Sequence, residues 1–370
     1  MKIDFEYLGG IEKGSIQLND FTLFCGKNNS GKTYVMYSLY GLLDNRFKIS
    51  FDFVKPIVKT LKQEGSYCLD IAEVIAEHKE EMIQYIEERF KDYLPILFGV
   101  TDSEFLNTKI QLHFSDEEIQ EQIKYGRAFS SVWRLGESAS GERLQLSMKA
   151  NNGKLQLTLD NAEIADNLLQ LRISESLIRN IFFGLFSNHP FLLPAERAGI
   201  NLFFKELFSI RNLLLQQAQN DNVDPMYLLR DIIDSRYAEP VKNYMQYLNN
   251  IIIYQKDKRK NYYEYAQVLN NNVLGGKYEV DEFGNVFFLP ADSKNKLPLH
   301  FSSSTVKTLF GLVFYLEHLA IQDDYLMIDE PELNLHPDNQ RQVARILAQL
   351  VNAGLKVINQ WGQTPLIYGC

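Results

Sequence analysis

Apolar and polar positions alternate from the start of the chain. Ile3-Asp-Phe-Glu-Tyr7 reads as a strand, Gly9-Gly10 as a turn, and Ser15-Ile-Gln-Leu18 as a second strand. Asn19-Asp20 turns into Phe21-Thr-Leu-Phe-Cys25, an apolar run that predicts a buried strand completing a small antiparallel set. An apolar helix follows from Tyr34, with Tyr34, Tyr37 and Tyr40 on one face. Such a stripe is either core or a stacking platform. From about 54 to 99 apolar residues recur three and four apart with acids between them, which predicts helix. From about 109 to 159 the period returns to two. There Arg143-Leu-Gln-Leu-Ser-Met148 and Lys154-Leu-Gln-Leu-Thr-Leu159 form a hairpin through Asn151-Asn152-Gly153. Helix resumes over about 167–187 and again over about 202–272, with Asp224-Pro225 as a helix start. Lys277-Tyr-Glu-Val280 and Val286-Phe-Phe-Leu289 flank a turn.

Composition narrows the class. At 370 residues and 45% apolar, the chain suits two domains, or one domain carrying an insertion. A net charge of −9 argues against a broadly basic nucleic-acid surface, while a local contact stays open. The basic cluster Lys256–Lys260 is either a solvated loop or such a contact. His78 lies on an acidic helix and reads as a solvated face rather than a metal ligand. Cys25, Cys68 and Cys370 show no metal spacing and read as reduced thiols of a cytoplasmic protein. The start is no signal peptide, and no run reaches the ~18 apolar residues of a membrane span.

Candidate chemistry sits first at Gly26-Lys27-Asn28-Asn29-Ser30-Gly31-Lys32-Thr33, a G-x-x-x-x-G-K-T run between predicted strand and helix. That is the context of a phosphate-binding P-loop. The glycines let the backbone wrap a phosphate chain, and the N–H groups from Asn28 to Thr33 form an anion nest at a helix N-terminus. Lys32 would reach the β- and γ-phosphates of ATP, and the Thr33 hydroxyl would bind Mg²⁺. A second element is Asp324-Tyr-Leu-Met-Ile-Asp329-Glu330-Pro331, an apolar strand ending in two acids. Asp329 would hold Mg²⁺, and Glu330 would deprotonate the attacking water. A third is Ser302-Ser303-Ser304-Thr305, opening a helix that runs to about 320. These hydroxyls cap the helix, and the same geometry can take a γ-phosphate.

The P-loop, the serine segment and Ile328-Asp-Glu-Pro-Glu-Leu-Asn-Leu-His-Pro337 together resemble the ABC/SMC-like ATPases, in particular the OLD-like and AAA-15/AAA-21 group. Leu193-Pro-Ala-Glu-Arg197 also resembles a stretch in that group. The likeness is good at both ends and holds only in outline over about 45–190. It implies an α/β ABC-type P-loop ATPase head with a mostly helical insertion, working as a homodimer through its ATP sites. The implied division is 1–50 and 276–358 as the two halves of the head. Between them lie a helical segment at 51–100, a β-rich lobe at 101–190 and a helical insertion at 191–275. The resemblance carries nucleotide contacts to Gly26, Lys32, Thr33, Asp329 and Glu330, and the signature loop to Ser302, Ser303 and Ser304. Members of the group accompany nucleases in bacterial anti-phage systems such as Septu and some retrons, so the implied partner is a protein effector.

One stretch departs from the pattern. After Gly354-Leu-Lys-Val-Ile358 the family continues its strand into a switch loop, whereas this chain runs Asn359-Gln-Trp-Gly-Gln363. The expectation is an atypical tail over 359–370, produced by truncation or a shifted frame and lying off the sheet. A glutamine sensing Mg²⁺ is not placed by the sequence. Two alternatives stay open: an ATP-binding scaffold with little hydrolysis, and a DNA-repair-type ATPase.

Overall fold

A computed structural model describes residues 1–44, 47–119, 129–137, 143–151, 153–161, 163–181, 190–206, 237–256 and 261–361. Its centre is a parallel sheet of β3 (Phe21–Cys25), β14 (Lys356–Trp361), β13 (Tyr325–Asp329) and β9 (Phe191–Leu193), in that order. β13 is apolar and buried along its length, as a parallel strand covered on both faces must be. Helix α1 (Lys32–Asp44), hydrophobic almost all round, packs on β13 and β14. Helix α9 (Pro337–Asn352) packs on β14 through Val343, Ile346, Leu347 and Leu350. The α/β class expected from the sequence is the one found.

The N-terminal antiparallel set is real but differently composed. β1 (Lys2–Leu8) pairs with β2 (Ile11–Gln17) and, on its other side, with β5 (Lys109–His113). β3 leaves this set for the parallel sheet. It was expected to be buried, yet it forms an edge of that sheet, with Phe21 41% and Leu23 36% exposed. Only alternate positions of an edge strand face the covered side, and Thr22 is the buried one.

Between the halves of the parallel sheet lie helices and a second antiparallel sheet, β4-β8-β7-β6, formed by Ser66–Asp70, Lys154–Leu159, Arg143–Asn151 and Phe129–Glu137. The expected 143–159 hairpin is present, with Asn151 opposite Lys154. The helical reading of 54–99 needs one correction. Gly65, at φ +75°, ends α2 (Val54–Glu64), and β4 intervenes before α3 (Ile71–Phe98). Asp70 then caps α3, its Oδ1 accepting from the N–H groups of Ala72 (2.9 Å) and Glu73 (3.4 Å), a contact worth ~1 kcal/mol. Helix α4 (Asp166–Ile181) packs on α2 and α3. Residues 197–206 form α5, and α6 (Glu239–Asn249) and α7 (Tyr263–Leu269) follow. Strands β10 (Gly276–Val280), β11 (Val286–Pro290) and β12 (Leu297–Pro298) lead into α8 (Ser304–His318). Asp224-Pro225, Cys370 and all of the basic cluster but Lys256 lie outside the described residues.

The larger correction concerns the tail. Asn359, Gln360 and Trp361 do not leave the sheet; they are the end of β14, in register with Leu23, Phe24 and Cys25 on one side. Asn359 and Gln360 also pair with Ile328 and Asp329 on the other. Their side chains are only 1% and 3% exposed. The polar run reads as a break in strand pattern because buried amides are rare in a central strand, not because the backbone stops pairing. Residues 362–370 lie outside the described residues. By hydrogen exchange, the amides of Val357 to Trp361 should fall in the slowest class, on the order of 10⁴-fold or more below free peptide. Fast exchange from Asn359 onward would return the tail to its expected place off the sheet.

Candidate functional site

Parallel pairing brings the C-terminal tips of β3, β13 and β14 to one level, the end of an open α/β sheet where ligands bind. The P-loop leaves β3 and delivers its last residues, Lys32 and Thr33, into the first turn of α1. The first N–H groups of that helix have no intrahelical partner and face outward as donors. Gly31 sits at φ +85°, and a Cβ there would lie 2.5 Å from Ile11 Cγ1, so only glycine fits. Asn29 adopts the left-handed region as well, at φ +61°. Gly26 is the less constrained of the pair; a Cβ there would stand 3.1 Å from Ser30 Oγ. The Lys32 ammonium donates to the carbonyls of Gly26 (3.0 Å) and Lys27 (2.9 Å), bracing the loop from within.

A cleft of about 600 Å³ opens over this loop. Asn28, Asn29, Ser30, Gly31, Lys32 and Thr33 line it, with Gly10, Tyr34, Glu330 and Gln360. The tyrosine stripe of α1 divides here. Tyr37 and Tyr40 are core, while Tyr34 is 40% exposed, stacks on Phe98 at 5.2 Å and forms part of the cleft wall. Asp329, the last residue of β13 and next to Glu330 of the cleft wall, is 2% exposed, and its Oδ1 has no hydrogen-bond partner. Burial, then the charges of Glu330 and Glu196, push its carboxyl up to about 7.

Glu330 occupies φ +49°, unusual for a residue with a side chain. Its N–H donates to the Gln360 carbonyl at 2.8 Å. Arg197 reaches the same turn from the start of α5, donating to the carbonyls of Asp329 (2.7 Å) and Glu330 (2.8 Å). Gln360 Nε2 donates to Thr33 Oγ1 at 3.3 Å, and Gln360 Oε1 is buried without a partner. The sequence alone did not single out Gln360. Its signal was there, because two consecutive amides in an otherwise apolar parallel strand mark a site rather than a core.

The residues fit a divalent cation of the oxygen-loving kind. A threonine hydroxyl, a buried carboxylate oxygen and a buried amide oxygen are hard donors, and the latter two are orphaned. No group of three or more His, Cys, Asp or Glu side chains suited to a metal occurs among the described residues. A cation here would therefore take its remaining ligands from water and phosphate. His78 is accounted for without metal: it stacks on Phe53 at 4.0 Å and bonds Glu81 at 3.0 Å.

Ser302, Ser303 and Ser304 stand apart from this cleft. Ser302 is buried, its hydroxyl directed at the Pro298 carbonyl (3.4 Å). Ser303 caps α8, its Oγ accepting from the Val306 N–H at 3.3 Å, and Ser303 and Ser304 are exposed. None of the three lines the cleft of their own chain.

The raised Asp329 pKa has a stability consequence. The folded state holds this proton more tightly than the unfolded chain, whose value is near 3.8. That contribution is complete below the unfolded value and is lost as pH climbs through about 7. Asp329→Asn should therefore melt above the parent at pH 8.5, by at least about 2 °C without nucleotide, with a distinctly smaller gap at pH 5, where only part of that contribution has been lost. An equal gap at both pH values in a thermal melt would mean that Asp329 is not desolvated as described.

The family described as "AAA ATPase domain" (AAA_15) matches residues 1–184 and 194–360. No curated protein sequence matches. Among solved structures, the chain is similar to an Smc head bound to the C-winged helix domain of ScpA, at 12% identity and TM-score 0.41, covering 99% of this chain and 90% of that one. It is also similar to an Smc head domain with an extended coiled coil bound to the C-terminal domain of ScpA, derived from Pyrococcus furiosus (11%, TM-score 0.38, 97% and 88% covered). An SMC head domain from Thermotoga maritima is similar at 10% identity and TM-score 0.33, with 97% and 88% covered. No helix among the described residues is long and apolar enough to cross a membrane. The family match spans the P-loop, the β13 tip and β14 through Gln360, and the chain belongs to the AAA_15 family of AAA ATPase domains.

Proposed function

We propose that the chain is an ATP-hydrolysing switch of the ABC/SMC type. The observation that carries this reading is one cleft walled by the P-loop, Glu330 and Gln360, with a buried, orphaned Asp329 oxygen on the residue next to Glu330. In this reading the loop N–H groups and Lys32 hold the β- and γ-phosphates. Thr33 and Asp329 hold Mg²⁺, which when bound neutralises charge on the phosphate oxygens. Glu330 accepts a proton from water as the water oxygen bonds to the γ-phosphorus. The bond from that phosphorus to the bridging oxygen breaks, and ADP and phosphate leave.

The switch reading adds a second copy of the chain. Ser303 and Ser304 present hydroxyls at the start of α8, a 15-residue helix with a favourable dipole for an anion. Because they do not line the cleft of their own chain, they suit the γ-phosphate held by a partner. ATP would then join two heads and ADP release them. The controlled effector, a nuclease in bacterial anti-phage defence, rests on family resemblance alone. Genes neighbouring this one would identify it.

Lys32→Ala should weaken ATP binding at least about 10-fold by calorimetry, the loss of a charged hydrogen-bond donor. Unchanged affinity would refute the loop assignment. Glu330→Gln should bind ATP and Mg²⁺ like the parent and release phosphate roughly 10²- to 10⁴-fold more slowly. A parent that binds ATP without measurable phosphate release would favour the scaffold reading. In sedimentation runs with ATP and Mg²⁺ on the Glu330→Gln background, the chain should dimerise, and adding Ser303→Arg should leave it monomeric with ATP still bound. Association independent of nucleotide would assign the contact to another surface.

A further inference from the structure

We propose that Arg197 is a positioning residue for hydrolysis: its guanidinium clamps the backbone of the Asp329–Glu330 turn and thereby sets where the Glu330 carboxylate points. The inference deepens the reading above and rests on Glu330 being the general base.

Arg197 is 2% exposed and belongs to the largest fully buried side chains of the protein. Nη1 donates to the carbonyls of Asp329 (2.7 Å) and Pro194 (3.1 Å), and Nη2 to the carbonyl of Glu330 (2.8 Å). A guanidinium is buried only against a large desolvation cost, which its own lowered pKa reflects. Here its hydrogen bonds go to main-chain oxygens of two consecutive residues at the reacting end of the sheet. Surface ion pairing does not account for that placement.

Glu330 needs such a hold. At φ +49° its backbone sits where residues with a Cβ are disfavoured, and Pro331 follows without an N–H to anchor the turn. The turn is pinned from two sides. The Glu330 N–H donates to Gln360 and its carbonyl accepts from Arg197. With both flanking peptides fixed, the direction of the Cα–Cβ bond is fixed as well. A planar fork that spans adjacent carbonyls is the property lysine lacks, since its ammonium is a single point of charge.

The clamp is itself braced. Arg197 opens α5, and Asn201 lies one turn further on the same helix face. Asn201 Nδ2 donates to the Lys307 carbonyl in α8 at 2.7 Å, and the Tyr244 hydroxyl donates to Asn201 Oδ1 at 2.7 Å. The helix that carries Arg197 is thereby tied to the helix that begins after Ser303.

The test is Arg197→Lys in the full chain, read by ATP calorimetry, steady-state phosphate release and amide exchange. The expected result is ATP affinity within threefold of the parent, kcat lowered at least 30-fold, and exchange of the 330–335 amides raised at least tenfold while β14 stays protected. On the Glu330→Gln background the same change should lower the residual rate less than threefold, because both act through one carboxylate. A kcat within twofold of the parent would overturn the proposal, as would unchanged exchange at 330–335. So would ATP affinity, kcat and melting temperature falling together, the mark of a merely structural arginine. Should Arg197→Lys melt below the assay temperature, the parent decides: 330–335 amides exchanging much faster than those of β13 would rule the clamp out. Glu330→Gln turning over at the parent rate would retire the base assignment instead, and would leave the exchange result for Arg197 standing.

Discussion

The site depends on β14 lying between β3 and β13. Parallel pairing on both sides sets Trp361 opposite Cys25 and Gln360 opposite Asp329, so three chain segments end at one level. A slip of one residue would turn every side chain of β14 to the other face and take Gln360 away from Thr33. The apolar faces of α1 and α9 hold that register by packing on the sheet. Everything chemical in the cleft follows from this alignment, because neither the P-loop nor the two acids reach each other through local sequence.

Around that alignment the protein places polar groups where burial makes them costly. Asp329, Asn359 and Gln360 each carry a buried oxygen without a partner, and Arg197 is buried among carbonyls. Elsewhere the ion pairs are largely on the surface, as between Lys13 and Glu6 or Lys55 and Asp52, where solvent screening leaves each contributing little. A core that sought stability alone would have apolar residues in the middle strand. Orphaned acceptors beside a hydroxyl and a donor-rich loop are instead a preorganised setting for a cation and a polyanion.

The parts legible in the sequence are those whose chemistry is contiguous. Gly26 to Thr33 and Tyr325 to Glu330 carry their own strand, turn and charge signals, and the hairpin at Asn151 carries its own turn. β4 was hidden because five alternating residues between two long helices are too short to break a helical pattern. The end of β14 was misread for a different reason. Asn359 and Gln360 look like a strand ending, and only pairing with distant residues shows them inside a sheet. Arg197 was visible only as part of a familiar segment, since its partners are backbone carbonyls 132 and 133 residues away, which no pattern of side chains reveals.

The central claim is that ATP with Mg²⁺ occupies the cleft over Gly26–Thr33 and engages the orphaned oxygens of Asp329 and Gln360. The most direct measurement is a crystal structure of the Glu330→Gln variant grown with ATP and Mg²⁺. The account predicts a triphosphate against the first turn of α1, with Lys32 shifted from the Gly26 and Lys27 carbonyls to phosphate oxygen and a cation between Thr33 and Asp329. A nucleotide bound elsewhere, or Lys32 still on those carbonyls with Asp329 remote from any cation, would contradict it.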